Sequence, residues 1–147
     1  MVFIAAFNMK SNAQSTLLYL WDFNGMDSSM HAPSYTASGG GSATYQYWCA
    51  FTDFSTGTPL NLQSGSYVGS CIRFSNPSAS VIFFMPTTGF HNVRFSYAEQ
   101  RTNNGPHSNS VKYSTDGVHF TSVSSADTNP ADSANYTVDS VDVSTDT

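Results

Sequence analysis

Residues 73–120 read RFSNPSASVIFFMPTTGFHNVRFSYAEQRTNNGPHSNSVKYSTDGVHF, and this stretch decides the fold. Ala79–Met85 (ASVIFFM) is a short apolar run rich in aromatic and β-branched residues, a length and composition that suit a strand. Pro86-Thr87-Thr88-Gly89 supplies turn residues. Asn92–Ala98 then alternates: Val93, Phe95 and Tyr97 point to one face, and Arg94, Ser96 and Ala98 to the other. Gln100–Ser108 is a loop containing Gly105-Pro106. Beyond it, Ser110–Ser114 and Val118–Val123 flank Thr115-Asp116-Gly117. Asp-Gly between two strand-like runs is a hairpin signal, because the turn needs positive φ and glycine adopts it without steric cost.

Outward from there the pattern repeats. Leu17–Phe23 (LLYLWDF) reads as a first strand ended by Asn24-Gly25, and residues 27–43 as a loop around Gly39-Gly40-Gly41. Tyr45–Phe51 (YQYWCAF) alternates as a second strand, and a polar stretch follows to about Gly65. Tyr67–Phe74 (YVGSCIRF) is a third. Tyr136–Val143 is the last, with a slip in phase that a bulge would absorb. With about eight short strands and no helical period, the expected fold is all-β: an antiparallel, jelly-roll-like β-sandwich in one domain, residues 15–147. No apolar strand follows Val143 to cover the sheet edge, so the sandwich is expected to be incomplete at its C-terminus.

Composition narrows the function. Charged residues make up 10% of the 147, against roughly 25% in an average soluble domain. The net charge is -5, and the five cations Lys10, Arg73, Arg94, Arg101 and Lys112 are scattered. No basic stripe exists to neutralise a phosphate backbone, which argues against a nucleic-acid partner. No apolar run approaches the ~20 residues of a membrane helix, so no membrane insertion is expected. Val2–Phe7 (VFIAAF) followed by Ser11-Asn12-Ala13 before Gln14 has the apolar core and small-x-small ending of a secretory leader. Residues 1–14 are therefore read as a partial signal peptide outside the fold; the competing reading is a short first strand. Cys49 and Cys71 fit an exported protein. Bridged, they would contribute about 3 kcal/mol; unbridged, they are two buried thiols that pack as small hydrophobes.

Five segments carry a resemblance. They are Trp21-Asp22-Phe23-Asn24; Arg73-Phe74-Ser75-Asn76-Pro77-Ser78; Pro86-Thr87-Thr88-Gly89-Phe90; Ser96-Tyr97-Ala98 with Arg101-Thr102 and Gly105; and Tyr113-Ser114-Thr115-Asp116-Gly117 with Phe120. In these, and in a leader that ends Asn-Ala-Gln, the chain resembles jelly-roll-like β-sandwich modules of secreted and cell-surface Bacteroidetes proteins, over most of residues 17–143. The resemblance implies export to the medium or cell surface and a larger multidomain chain. It also implies a non-catalytic accessory role, binding carbohydrate or another surface ligand. The other expectation is a structural spacer or adhesin-type domain with no small ligand. The family has no catalytic constellation to carry over, and no enzyme activity is expected.

Three sets of residues could form sites. Tyr45, Tyr47 and Trp48, with Tyr35 and Phe51, make an aromatic-rich region beside a Gly-Ser loop. Exposed, such rings stack on sugars; buried, they are core. Arg101, Asn103, Asn104 and His107 sit in a loop of the kind that carries binding in sandwiches, although Arg101 could equally tie the loop to a carboxylate such as Glu99 or Asp116. Asp22, Asn24 and Asp27 place oxygens at spacings that suit a structural Ca²⁺; the alternative is a plain Asx-type turn. No other cofactor is expected. Glu99 is the single glutamate, and the four histidines, His31, His91, His107 and His119, are dispersed with no pair at metal spacing.

Overall fold

A computed structural model describes residues 2–11, 14–24, 31–48, 52–63, 66–74, 78–102, 105–123 and 135–143, with the backbone alone for 2–11, 14, 15, 48, 52 and 53. These residues form eleven strands and no helix. They are β1 (Val2–Ser11), β2 (Gln14–Trp21), β3 (Tyr35–Thr36), β4 (Thr44–Trp48), β5 (Thr52–Thr56) and β6 (Ser70–Phe74). β7 (Ser80–Phe84), β8 (Val93–Glu99), β9 (Lys112–Tyr113), β10 (Thr121–Ser122) and β11 (Thr137–Asp142) complete the set. Every pairing is antiparallel. The all-β antiparallel expectation holds.

The main sheet runs β11-β8-β1-β2-β3, with β6 joined to the start of β1 and β5 to β6. β4 and β7 form a second sheet in full register from Thr44↔Phe84 to Trp48↔Ser80. Aromatic side chains join the two layers. Trp21 meets Phe83 edge-on at 5.0 Å, and Phe83 reaches Phe95 at 5.6 Å. Phe23 meets Tyr45 edge-on at 5.5 Å. Leu18, Tyr19, Trp21, Tyr45, Ile72, Phe74, Tyr97 and Val141 fill the interior between them. The His31 carbonyl accepts from the Trp21 indole N–H at 3.2 Å and from the Tyr45 backbone N–H at 3.1 Å, so one loop residue ties both layers together.

Several expectations change. Val2–Ser11, set aside above as leader, is a strand in the structure, laddered to β2 and β8 on its two sides. An uninterrupted apolar run such as VFIAAF serves a doubly covered strand as well as it serves a leader core. β3 falls in the stretch read as loop, and β5 in the stretch read as polar connection. β6 begins at Ser70, so Tyr67-Val68-Gly69 belongs to the preceding loop and not to the strand. β11 pairs with β8 without a slip from Thr137↔Glu99 to Asp142↔Arg94; the register shift lies instead in β1, between Ala6 and Asn8. β9 and β10 do form a hairpin around Asp116-Gly117, with Gly117 at φ 75°, but they pair over two residues each, and residues 114–120 connect them where a tight turn at 115–117 was expected, so Val118–Phe120 lies outside the strand.

Candidate functional site

Residues 57–69 contain Gly57, Pro59, Gly65 and Gly69 among short polar residues, a composition that resists both helix and sheet. The ends of this segment meet: Gly57 N–H donates to Gly69 O at 3.1 Å, one step beyond the Thr56–Ser70 pair of the β5–β6 ladder. Polar side chains brace it internally and tie it to β8. Thr58 is buried and its hydroxyl accepts from Leu60 N–H at 3.2 Å. Asn61, in the left-handed region at φ 60°, accepts from the Ser96 hydroxyl on β8 at 3.0 Å.

The firmest anchor is Asn24, just past the end of β2. Its amide N–H donates to Tyr67 O at 2.9 Å, and its side-chain oxygen accepts from Ser70 N–H at 2.9 Å. One side chain thus supplies the donor and acceptor that a neighbouring strand would. Gly69 lies between the two bonds, and a Cβ there would stand 1.8 Å from the Asn24 oxygen, so only glycine fits. What this loop presents outward is apolar: Leu60 is 40% exposed, Val68 43% and Tyr67 69%. An exposed ring on a backbone held from below keeps its position without the ordering cost of a mobile loop.

A second loop leaves the same end of the sheet. Ala5 of β1 is the register partner of both Trp21 and Tyr97, so β2 and β8 run in the same direction on either side of it, and the segments that follow them, with Asn24 and Arg101, leave at the same end of the sheet. A guanidinium N–H of Arg101 lies 3.3 Å from His107 Nδ1, and His107 is exposed. At the base of this loop Glu99 is buried, 1% exposed. The Asn109 amide donates to Glu99 Oε2 and to the Tyr97 hydroxyl, both at 3.1 Å.

The sequence-predicted residues separate accordingly. Tyr45 is 1% exposed and packs on Phe23, Phe83 and His31, so it is core and no platform. Burial first and the neighbouring Tyr47 second push its phenol up to about 12. Tyr47 is half-buried, with its ring 5.9 Å from His31. The Trp48 side chain, Asn103 and Asn104 lie outside the described residues, as do Asp27 and Cys49. Asp22 accepts from Asn24 N–H at 3.1 Å, the Asx turn named as the alternative to calcium ligation, and the Asn24 side chain is engaged with the 57–69 loop. Among the described residues no group of three His, Cys, Asp or Glu side chains is placed to hold a metal ion.

Cys71 is a free, buried thiol, and the structure has no bridge from it. Its sulfur points between strands, 3.2 Å from Thr56 O and 3.3 Å from Ser55 O, and 3.5 Å from the Tyr136 hydroxyl. Burial pushes this thiol up, and the hydrogen bond with Tyr136 acts against that. Tyr67 and Val68 escaped the sequence reading because Tyr67–Phe74 looks like one continuous strand, with Gly69 in its middle the available sign of a break, and Leu60 because it falls in a stretch read as polar connection.

Comparison with protein-family models, curated proteins and solved structures finds no match. Within the described residues no helix is long and apolar enough to cross a membrane.

Proposed function

We propose that this chain is a non-catalytic accessory domain of a secreted or cell-surface protein, and that it binds carbohydrate or another surface ligand through the 57–69 loop. The observation that carries the reading is the exposed Tyr67 ring, displayed with Val68 and Leu60 on a loop pinned by Asn24 and by the Asn61–Ser96 bond. Tyrosine suits this work: one face packs on the C–H surface of a sugar and the hydroxyl serves a polar neighbour. The few charged residues and the leader-like composition of residues 2–13 support the same setting. The test is a glycan array with the purified chain and with Tyr67→Ala. Binding lost in the variant with an unchanged melting temperature supports the reading. No binding to any glycan or to the surface of the producing cell sinks it.

The spacer reading has one specific observation in its favour. Trp21, Tyr45 and Tyr97, among the larger aromatics of the chain, are buried and serve packing. A spacer needs nothing from Tyr67, so an intact parent protein carrying Tyr67→Ala would keep its surface binding.

A further inference from the structure

We propose that the position of β1 is a strand-accepting slot. Once the leader is removed, β2 and β8 take between them an extended segment of a second polypeptide, apolar in the half that lies opposite Leu18–Trp21 and small opposite Trp21 and Tyr97. This rests on the export reading above, which makes residues 2–11 removable.

The flanking strands define what the slot accepts. Leu18, Tyr19, Leu20 and Trp21 of β2 are all buried, and so are Ser96, Tyr97, Ala98 and Glu99 of β8. Consecutive buried residues mean that both faces are covered. The β4–β7 sheet lies on one face, through Trp21, Phe83 and Phe95. The 57–69 loop reaches the other through the Ser96–Asn61 bond. Opposite Leu18–Trp21 and Ser96–Ala98 an entering strand is flanked by buried residues, which suits an apolar run; farther along, beside Thr16 and Arg94, its neighbours are exposed and polar residues are admitted. It runs antiparallel to both neighbours, as the registers of β1 require.

Size is constrained as well. Directly opposed residues in a ladder have Cβ atoms about 5 Å apart. The residue between Trp21 and Tyr97 is Ala5, and the next, between Leu20 and Ser96, is Ala6. A large side chain at the first of these would have to share its space with an indole and a phenol ring.

β1 is also separable. Ser11 pairs with Gln14, and residues 12 and 13 alone connect β1 to β2, so a cut beside Gln14 releases β1 without touching another connection. The vacated edges cannot stay empty, because buried N–H and C=O groups on β2 and β8 would have no partner. Within the described residues, β2 to β11 all have ladder partners already, and filling the slot from among them would break another pairing. The incoming strand is therefore a donated one, in the manner of strand addition at an open sheet edge.

The experiment uses the full chain exported by a host and purified from the medium, with its N-terminus sequenced. A labelled peptide of residues 2–11, VFIAAFNMKS, and the same peptide with Ala5→Trp are added, and amide exchange is followed on β2 and β8. The expected result is an N-terminus at or near Gln14, binding of the first peptide alone, and exchange slowed about tenfold or more on both strands. A processed chain that is unfolded until the first peptide is added supports the proposal equally. It is overturned if β2 and β8 are already protected and no peptide binds, which means that the slot is filled within the chain. It is also overturned if the processed chain stays unfolded with peptide. An N-terminus still carrying residues 2–11 overturns it on different ground, by removing the leader reading itself; the glycan array then still decides the binding reading on its own.

Discussion

At the scale of single residues, the Asn24–Gly69 contact is the most demanding geometry on the molecule. Gly69→Ala would place a methyl group 1.8 Å from the Asn24 oxygen, so either the amide rotates away or the loop lifts. We expect a loss of about 1–3 kcal/mol in chemical denaturation, as for other overpacked sites. Asn24→Ala, which removes two hydrogen bonds without a clash, should cost about 1–2 kcal/mol. In both variants the amides of residues 67–70 should exchange faster. Cys71 makes a separate case. Because its thiol acts through packing and through the Ser55, Thr56 and Tyr136 contacts, Cys71→Ala should lower stability by about 1 kcal/mol with and without reductant. A loss confined to oxidising buffer would restore the Cys49–Cys71 bridge. Little of the candidate site was legible in the sequence at this scale. Alternation correctly paired Tyr45 with Tyr47 on one side of β4, but a strand pattern does not say which face is core, and the ligand-binding reading chose the wrong one for Tyr45.

At the scale of elements, strands with apolar alternation or apolar runs were legible: β2, β4, β7, β8 and β11 lie within two or three residues of their expected places. β5 (TDFST) was not, because four of its five residues are polar and it is held extended by its ladder with β6, a tertiary contact that leaves no local pattern. β3 is two residues long and leaves no periodic trace. β1 was legible as apolar but ambiguous in meaning, since a leader core and a doubly covered strand make the same demand on composition. Two predictions belong here. Phe83 on β7 touches Trp21, Tyr45 and Phe95, and so carries the contact between layers. Phe83→Ala should destabilise by about 3 kcal/mol in a denaturant melt. A loss below about 1 kcal/mol would mean that the β4–β7 sheet is not packed as described. In the β9–β10 hairpin, Gly117 has open space around it, so the penalty for Gly117→Val is conformational alone. It should be about 1–2 kcal/mol, and Gly117→Asn should cost clearly less because asparagine tolerates that region.

For the molecule as a whole, alkaline pH is the informative stress. Tyr45 is raised from 10.0 to about 12 by burial and by Tyr47, and Cys71 is raised above 9.0 by burial. Tyr136 is raised too, by burial and by its bond to Cys71. In each case the unfolded chain loses its proton first. The stabilisation is therefore complete below the unfolded values and is lost as pH rises through the folded ones. Denaturant midpoints should decline from about pH 9 upward and fall further from 10 to about 12. In Cys71→Ala the early part of the decline should shrink; a flat profile across the window would contradict the burial of these groups.

The Asn24 anchor also gives the protein a chemical lifetime. Asn24 is followed by Gly25, the pairing in which a side-chain amide cyclises onto the next backbone nitrogen most readily. Conversion to aspartate would replace the N–H that holds Tyr67 O with a carboxylate oxygen, turning an attraction into a repulsion at the base of the loop. Stored preparations should drift toward a more acidic species whose 57–69 loop is loosened while its sheets remain intact, so the oldest molecules in a sample would be the first to stop presenting Tyr67.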